Sequence, residues 1–276
     1  MAHEPQHHGA EDLQIEMLDL DAEVLHDHLT ALTARLRELA EEPVRRILDL
    51  GSGSGTGTFA LLERFEDATA IAVDSSPAML DHLTAKGARR GLSERIRTEQ
   101  VDLDAAFPRT EGPADLVWAS ASLHHLADPG RLLGEVFGAL RPGGLVAVAE
   151  LDGFPRFLPD DFGVGRPGLE ERCREVLAAR RADDLPHISS DWAALLTGAG
   201  FGLVENRAVE IDLRSPLPEG TARYAELVLT RMRPFLADHL DATDLDVLDT
   251  LLADGLHRRD DLTVRTTRTF LVARRP

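Results

Sequence analysis

The sequence predicts an α/β protein: a doubly wound, mostly parallel seven-stranded sheet with an N-terminal helix and a helical insertion late in the chain. Three observations carry this. Short, continuously apolar segments alternate with helical patterns between residues 44 and 150, as in parallel sheets covered on both faces. A glycine-rich turn, Gly51-Ser52-Gly53-Ser54-Gly55, joins the first of these segments to a helix. A helical stretch over residues 217–256 separates the last two predicted strands.

The elements follow in order. Residues 1–18 are polar and read as a flexible tail, in which His3, His7 and His8 lack partners at metal-ligand spacing. From Asp19, leucines 25, 29, 32, 36 and 39 recur at helical steps. Strands are expected at 44–50, 69–73, 95–101, 114–119 and 145–149, with a helix at 56–65. Ser76-Pro77 and Asp128-Pro129 each open a helix, with a capping side chain followed by proline at the first helical position. Beyond residue 150 come a Pro- and Phe-rich loop, a charged helix near 170–180, a helix at 191–200 and a strand near 203–213. Two further helices then precede a final alternating strand at 263–274.

Composition narrows the function. The net charge of −18 disfavours a nucleic-acid partner, which calls for a basic face. No apolar run reaches the length of a membrane span, and the first residues do not read as a secretory signal. Cys173 is the one cysteine, so neither an internal disulfide nor a cysteine-based zinc site is expected, and a cytoplasmic location is. Lys86 is the one lysine among 30 basic residues, a bias that reads as genome composition.

The glycine turn carries most of the functional signal. A dinucleotide fingerprint needs Gly or Ala at its third slot, where this chain has Thr56. Asp49, two residues before Gly51, would repel a pyrophosphate but attract a cationic nucleoside. Asp74 ends the second strand, placed to accept ribose hydroxyls. Met79 is a candidate for packing on a purine, Asp102 for accepting its amino group, and Leu103 for lying under the ring.

Together these stretches resemble the class I S-adenosylmethionine (SAM)-dependent methyltransferases. Asp49 to Gly55 is similar to motif I and Ala72-Val73-Asp74 to motif II. Residues 115–120 are similar to motif IV, and 140–144 to the turn before strand five. The resemblance covers about residues 44–150 and implies a Rossmann-like sheet with the last strand antiparallel. It implies a cofactor site of Asp49, Gly51, Ser52, Gly53, Gly55, Asp74, Ser75, Met79, Asp102, Leu103 and Ala119, with SAM as donor and S-adenosylhomocysteine (SAH) as product. Residues 153–187 and 217–256 would form a lid over a small-molecule acceptor, in a 19–276 domain acting as monomer or homodimer.

Methyl transfer from a sulfonium is an in-line displacement that requires no metal, and a base only when a neutral acceptor must lose a proton. His124 and His125, after strand four at the carboxyl rim, are the candidates, with Glu150 placed to orient a histidine or bind the acceptor. The alternative for the pair is one buried, hydrogen-bonded ring and one solvated ring. A SAM-binding protein without methyl transfer (a sensor, partner subunit or cyclase) is the competing function; Asp49 and Thr56 disfavour an NAD-dependent oxidoreductase.

Overall fold

A computed structural model describes residues 5–184, 187 and 190–276. Seven strands form one sheet in the order β3-β2-β1-β4-β5-β7-β6. They are β1 (Arg46–Leu50), β2 (Thr69–Asp74), β3 (Ile96–Gln100), β4 (Ala114–Ser120), β5 (Leu140–Leu151), β6 (Gly202–Leu213) and β7 (Val264–Arg274). β1 to β5 pair in parallel, and β7 is antiparallel to both β5 and β6. The expected sheet, with its antiparallel last strand, is the sheet observed. β5 starts five residues before the expected 145, because Leu140 already pairs with Ala114 across a register shift.

Alternation along β1 sorts the two faces. Leu48 and Leu50 join a core with helices α5 (Pro129–Ala139) and α7 (Trp192–Gly198). Ile47 joins the opposite core with α2 (His26–Leu39) and α3 (Thr56–Arg64), through Leu32, Leu36, Leu61 and Leu62. Helix α4 (Pro77–Arg89) starts as its sequence specifies, with the Ser76 hydroxyl accepting the Met79 N–H; Asp128 caps α5 likewise through Arg131. A third core joins α6 (Leu169–Asp184), α8 (Thr221–Leu236) and α9 (Ala242–Thr250) to the 153–168 loop, around Phe157, Leu169, Cys173, Tyr224 and Leu248.

The amino terminus departs from expectation. Helix α1 spans Pro5–Val24, in place of a tail over 1–18, and breaks at Leu25 before α2. Its stabilisation is tertiary, through acidic side chains. Glu16 pairs with Arg223 at 2.8 Å, Asp19 with Lys86 at 2.8 Å and His82 at 3.0 Å, and Asp21 with Arg268 at 2.6 Å. A local reading of polarity sees only a solvated segment. His3 lies outside the described residues, as do 185, 186, 188 and 189 within and beside the expected 153–187 lid. Among the described residues no helix is long and apolar enough to cross a membrane.

Candidate active site

The glycine turn sits between β1 and α3 at the carboxyl edge of the sheet. Gly51, Gly53 and Gly55 have φ of +70°, +52° and +85°, a region L residues enter at a cost. Space is as restrictive as conformation: a Cβ on Gly51 would lie 2.4 Å from Ser122 Cβ. The Ser122 hydroxyl donates to Leu50 O at 2.9 Å, which ties this turn to the loop after β4. The Ser52 hydroxyl is buried with no hydrogen-bond partner among the described residues. A cradle closed to side chains, with an orphaned buried hydroxyl and two acids beside it, fits the polar, cationic end of SAM.

Asp49 shares the α3-facing side of β1 with Ile47, and the Thr58 hydroxyl donates to its Oδ2 at 2.5 Å. Burial pushes its carboxyl up to about 7, against the Thr58 hydrogen bond and with help from the Asp74 charge. The linkage has a definite sign. A carboxyl raised from 3.8 to about 7 on folding contributes stability below 3.8 that is lost as pH rises through 7. A cationic ligand favours the ionised form. SAM affinity is therefore expected to rise with pH between about 5 and 7 and then level off, by up to tenfold per unit. Asp49→Asn should flatten that slope in calorimetric titrations; an equal slope in the variant would remove Asp49 from the account.

Asp74 accepts the Gly53 N–H at 2.8 Å and the Ser76 N–H at 2.9 Å, one on each oxygen. It thus braces the glycine turn while keeping lone pairs for further donors. Ser75 is exposed beside it, and Met79 is buried one turn into α4. Ala119 is buried and pairs with Leu50. Asp102 is exposed and its Oδ1 accepts the Asp104 N–H at 3.0 Å, so it shapes the turn after β3. Leu103 is buried behind it.

Sequence reasoning missed what covers this turn. Helix α1 crosses it, with Leu18 Cδ1 3.0 Å from where a Cβ on Gly53 would stand. The Ser76 hydroxyl donates to Glu11 at 3.3 Å, so the same helix also reaches the α4 cap. The available signal was the run of acids from Glu11 to Asp21, readable only once their cationic partners are known.

The histidine pair lies across the sheet edge. After β4 the backbone turns through Ala121 at φ +50°, a conformation rare outside glycine. One short turn, Leu123–His125, follows. Glu150, at the end of β5 and 1% exposed, accepts from Ser122 N at 3.2 Å, Leu123 N at 2.9 Å and His124 Nδ1 at 2.5 Å. A carboxylate only accepts, so the proton of the last bond sits on Nδ1 and leaves Nε2 as the open nitrogen. His124 is buried, while His125 is exposed and lies against it, with ring centroids 4.1 Å apart and planes tilted by 42°. Burial above all, with smaller contributions from the neighbouring His124 and Arg231, holds the His125 pKa below its ordinary value against the pull of Glu150.

Helix α8 of the expected lid packs on α1. Tyr224 is buried and donates to Asp21, which Arg268 of β7 also holds; neither residue lies on a solvated face. Asp244 is 1% exposed and anchors Arg172 at 2.6 Å and Arg166 at 2.8 Å, because α6 and the 153–168 loop pack on α9. Among the described residues no group of three metal-ligating side chains comes together.

Comparison with known proteins adds to this geometry. The family described as "Methyltransferase domain" matches residues 47–144. A trans-aconitate 2-methyltransferase of Methylobacterium nodulans is 33% identical over 83% of this chain and 86% of its own length. One from Methylobacterium radiotolerans is 32% identical over 72% and 73%. Geranyl diphosphate C-methyltransferase from Streptomyces coelicolor A3(2), solved with S-adenosyl-L-homocysteine, shares the fold at TM-score 0.52 and 16% identity, over 91% of this chain and 81% of that one. The match runs through the glycine turn, β2 and β4, the stretches whose geometry suits a sulfonium nucleoside, and the chain belongs to the class I SAM-dependent methyltransferases, as an enzyme acting on small molecules.

Proposed function

We propose that the chain binds SAM through Asp49, the turn Gly51–Gly55 with Ser52, Asp74, Ser75, Met79, Asp102, Leu103 and Ala119. The acceptor occupies the rim between the 123–125 turn and α8, with His125 as the side chain that meets it. Segments 153–187 and 217–256 act as the lid. The observation that carries this reading is the buried Glu150–His124 pair, which fixes the turn presenting His125. Bound SAM supplies a methyl group activated on sulfur. The protein contributes position and exclusion of water, and a neutral His125 takes a proton when the acceptor has one to lose.

The net charge of −18 supports an acceptor that is neither nucleic acid nor membrane lipid. Burial raises the Cys173 thiol to about 12, which keeps it inert; the protein is read as cytoplasmic, a monomer or homodimer. The names of its relatives make trans-aconitate the first acceptor to try. SAH release from SAM, with this and a panel of small acids, phenols and amines, tests the proposal. With an acceptor that must lose a proton, His125→Ala is expected to lower kcat by about 100-fold while leaving SAM affinity intact. Full turnover by His124→Ala, His125→Ala and the double variant would sink the base role.

A further inference from the structure

Helix α1 is held to the protein by polar ties more than by a packed face. From residue 9 to residue 23 no side chain is buried. Burial begins at Val24 and Leu25, which enter the core around Phe157 and Tyr224, while Met17 and Leu20 lean on that core half-buried. Along the rest of the helix the ties are Glu11 with Ser76, Glu16 with Arg223, and Asp19 with Lys86 and His82. The carboxyl end is fixed more firmly, by Asp21 on Arg268 and Tyr224 beside buried Val24. A helix with so few buried apolar contacts opens locally at small cost.

What α1 covers gives that looseness a use. Asp74 accepts from two N–H groups, those of Gly53 and Ser76. Helix α1 touches both residues: Leu18 lies over Gly53, and Glu11 accepts from the Ser76 hydroxyl. Glu11 and Leu18 are two helical turns apart, about 10 Å, so α1 passes across Asp74 from one side to the other. The approach to the glycine turn over Asp74 is thereby closed. Next to Leu18, Asp19 carries a double tie to α4. Lys86 and His82 hold one oxygen each, at 2.8 and 3.0 Å, and all three side chains are less than a third exposed.

We propose that α1 is the gate of the cofactor site, latched by Asp19 on Lys86 and His82 and hinged near Val24 and Leu25, where α1 breaks from α2. SAM enters and SAH leaves when the amino-terminal part of α1 swings off the glycine turn. This rests on the reading that the ribose binds Asp74. The latch joins protein to protein, so it stabilises the closed helix in the empty and the loaded chain alike. Weakening it speeds entry and exit together and leaves affinity nearly unchanged. A residue that only walls the ligand would change exit and affinity, and not entry.

The test measures association and dissociation rates of SAH by surface plasmon resonance, with the full chain held by its carboxyl end. Asp19→Asn breaks the latch from α1, and Lys86→Met breaks it from α4. Both rates should rise about fivefold in each variant, with Kd within about twofold of wild type and no further gain in the double variant. The wild type needs no substitution for a second reading. SAH carries no net charge, so salt acts chiefly on the ties of α1, and both rates should rise with ionic strength. Faster exit with a matching loss of affinity and unchanged entry would make α1 a wall and overturn the proposal. Rates unchanged in both variants, or indifferent to salt in the wild type, would overturn it too, while leaving the cofactor site standing. A folded wild type that binds no SAH would instead remove the cofactor site, and the gate with it.

Discussion

Glu150→Ala is expected to destabilise the protein by about 4 kcal/mol and to abolish most turnover. The side chain is almost fully buried and serves three donors: two backbone N–H groups and the His124 ring. Alanine orphans all three in a dry site, at about 1–3 kcal/mol each before the turn relaxes. It also frees the 123–125 turn that presents His125. Glu150→Gln separates the two effects. Its carbonyl oxygen can still accept from Ser122 and Leu123, but its amide then faces His124 Nδ1 and imposes the opposite tautomer. Stability should return largely to the wild-type value while turnover stays low. Denaturant melts beside SAH-release rates make the comparison. An alanine variant within about 1 kcal/mol of wild type would show that the buried pair does not hold this rim.

Asp74→Ala is expected to weaken SAM binding on the order of 100-fold. Two losses combine. The Gly53 and Ser76 N–H groups lose the carboxylate that braces the turn. In the proposed cofactor site the ribose loses a charged acceptor, and hydrogen bonds to charged groups are worth about 1.5–3 kcal/mol each. Asp74→Asn keeps one carbonyl oxygen and should fall between the two. Unlike Glu150→Ala, neither variant should lower the melting temperature of the ligand-free protein much, since Asp74 is only partly buried and water can replace it. Equal SAM affinity in Asp74→Ala and wild type would move the ribose elsewhere.

How much of this was legible in the sequence depends on the range of the forces involved. Strands β1, β4 and β5 are apolar because both faces are covered, and that pattern is local. Ser76-Pro77 and Asp128-Pro129 announce helices because caps act within one turn. The glycine turn was readable because three positive φ angles in five residues leave little choice of residue. Helix α1 was not readable: its acids find partners 63 to 247 residues away, and local polarity looks the same in a tail and in a paired helix. The ion pairs of Asp244 were not readable for the same reason, since only the fold brings Arg166 and Arg172 to it. The histidine pair was visible, but not which ring would be buried. That choice is made by Glu150, 26 residues on, at the end of a neighbouring strand.

The central claim, that the glycine turn of this chain is a SAM site, is tested most directly by isothermal titration of the ligand-stripped protein with SAH. The account predicts one site per chain with affinity in the micromolar range, and no heat with NADH. A folded protein that binds no SAH at millimolar concentration would contradict it.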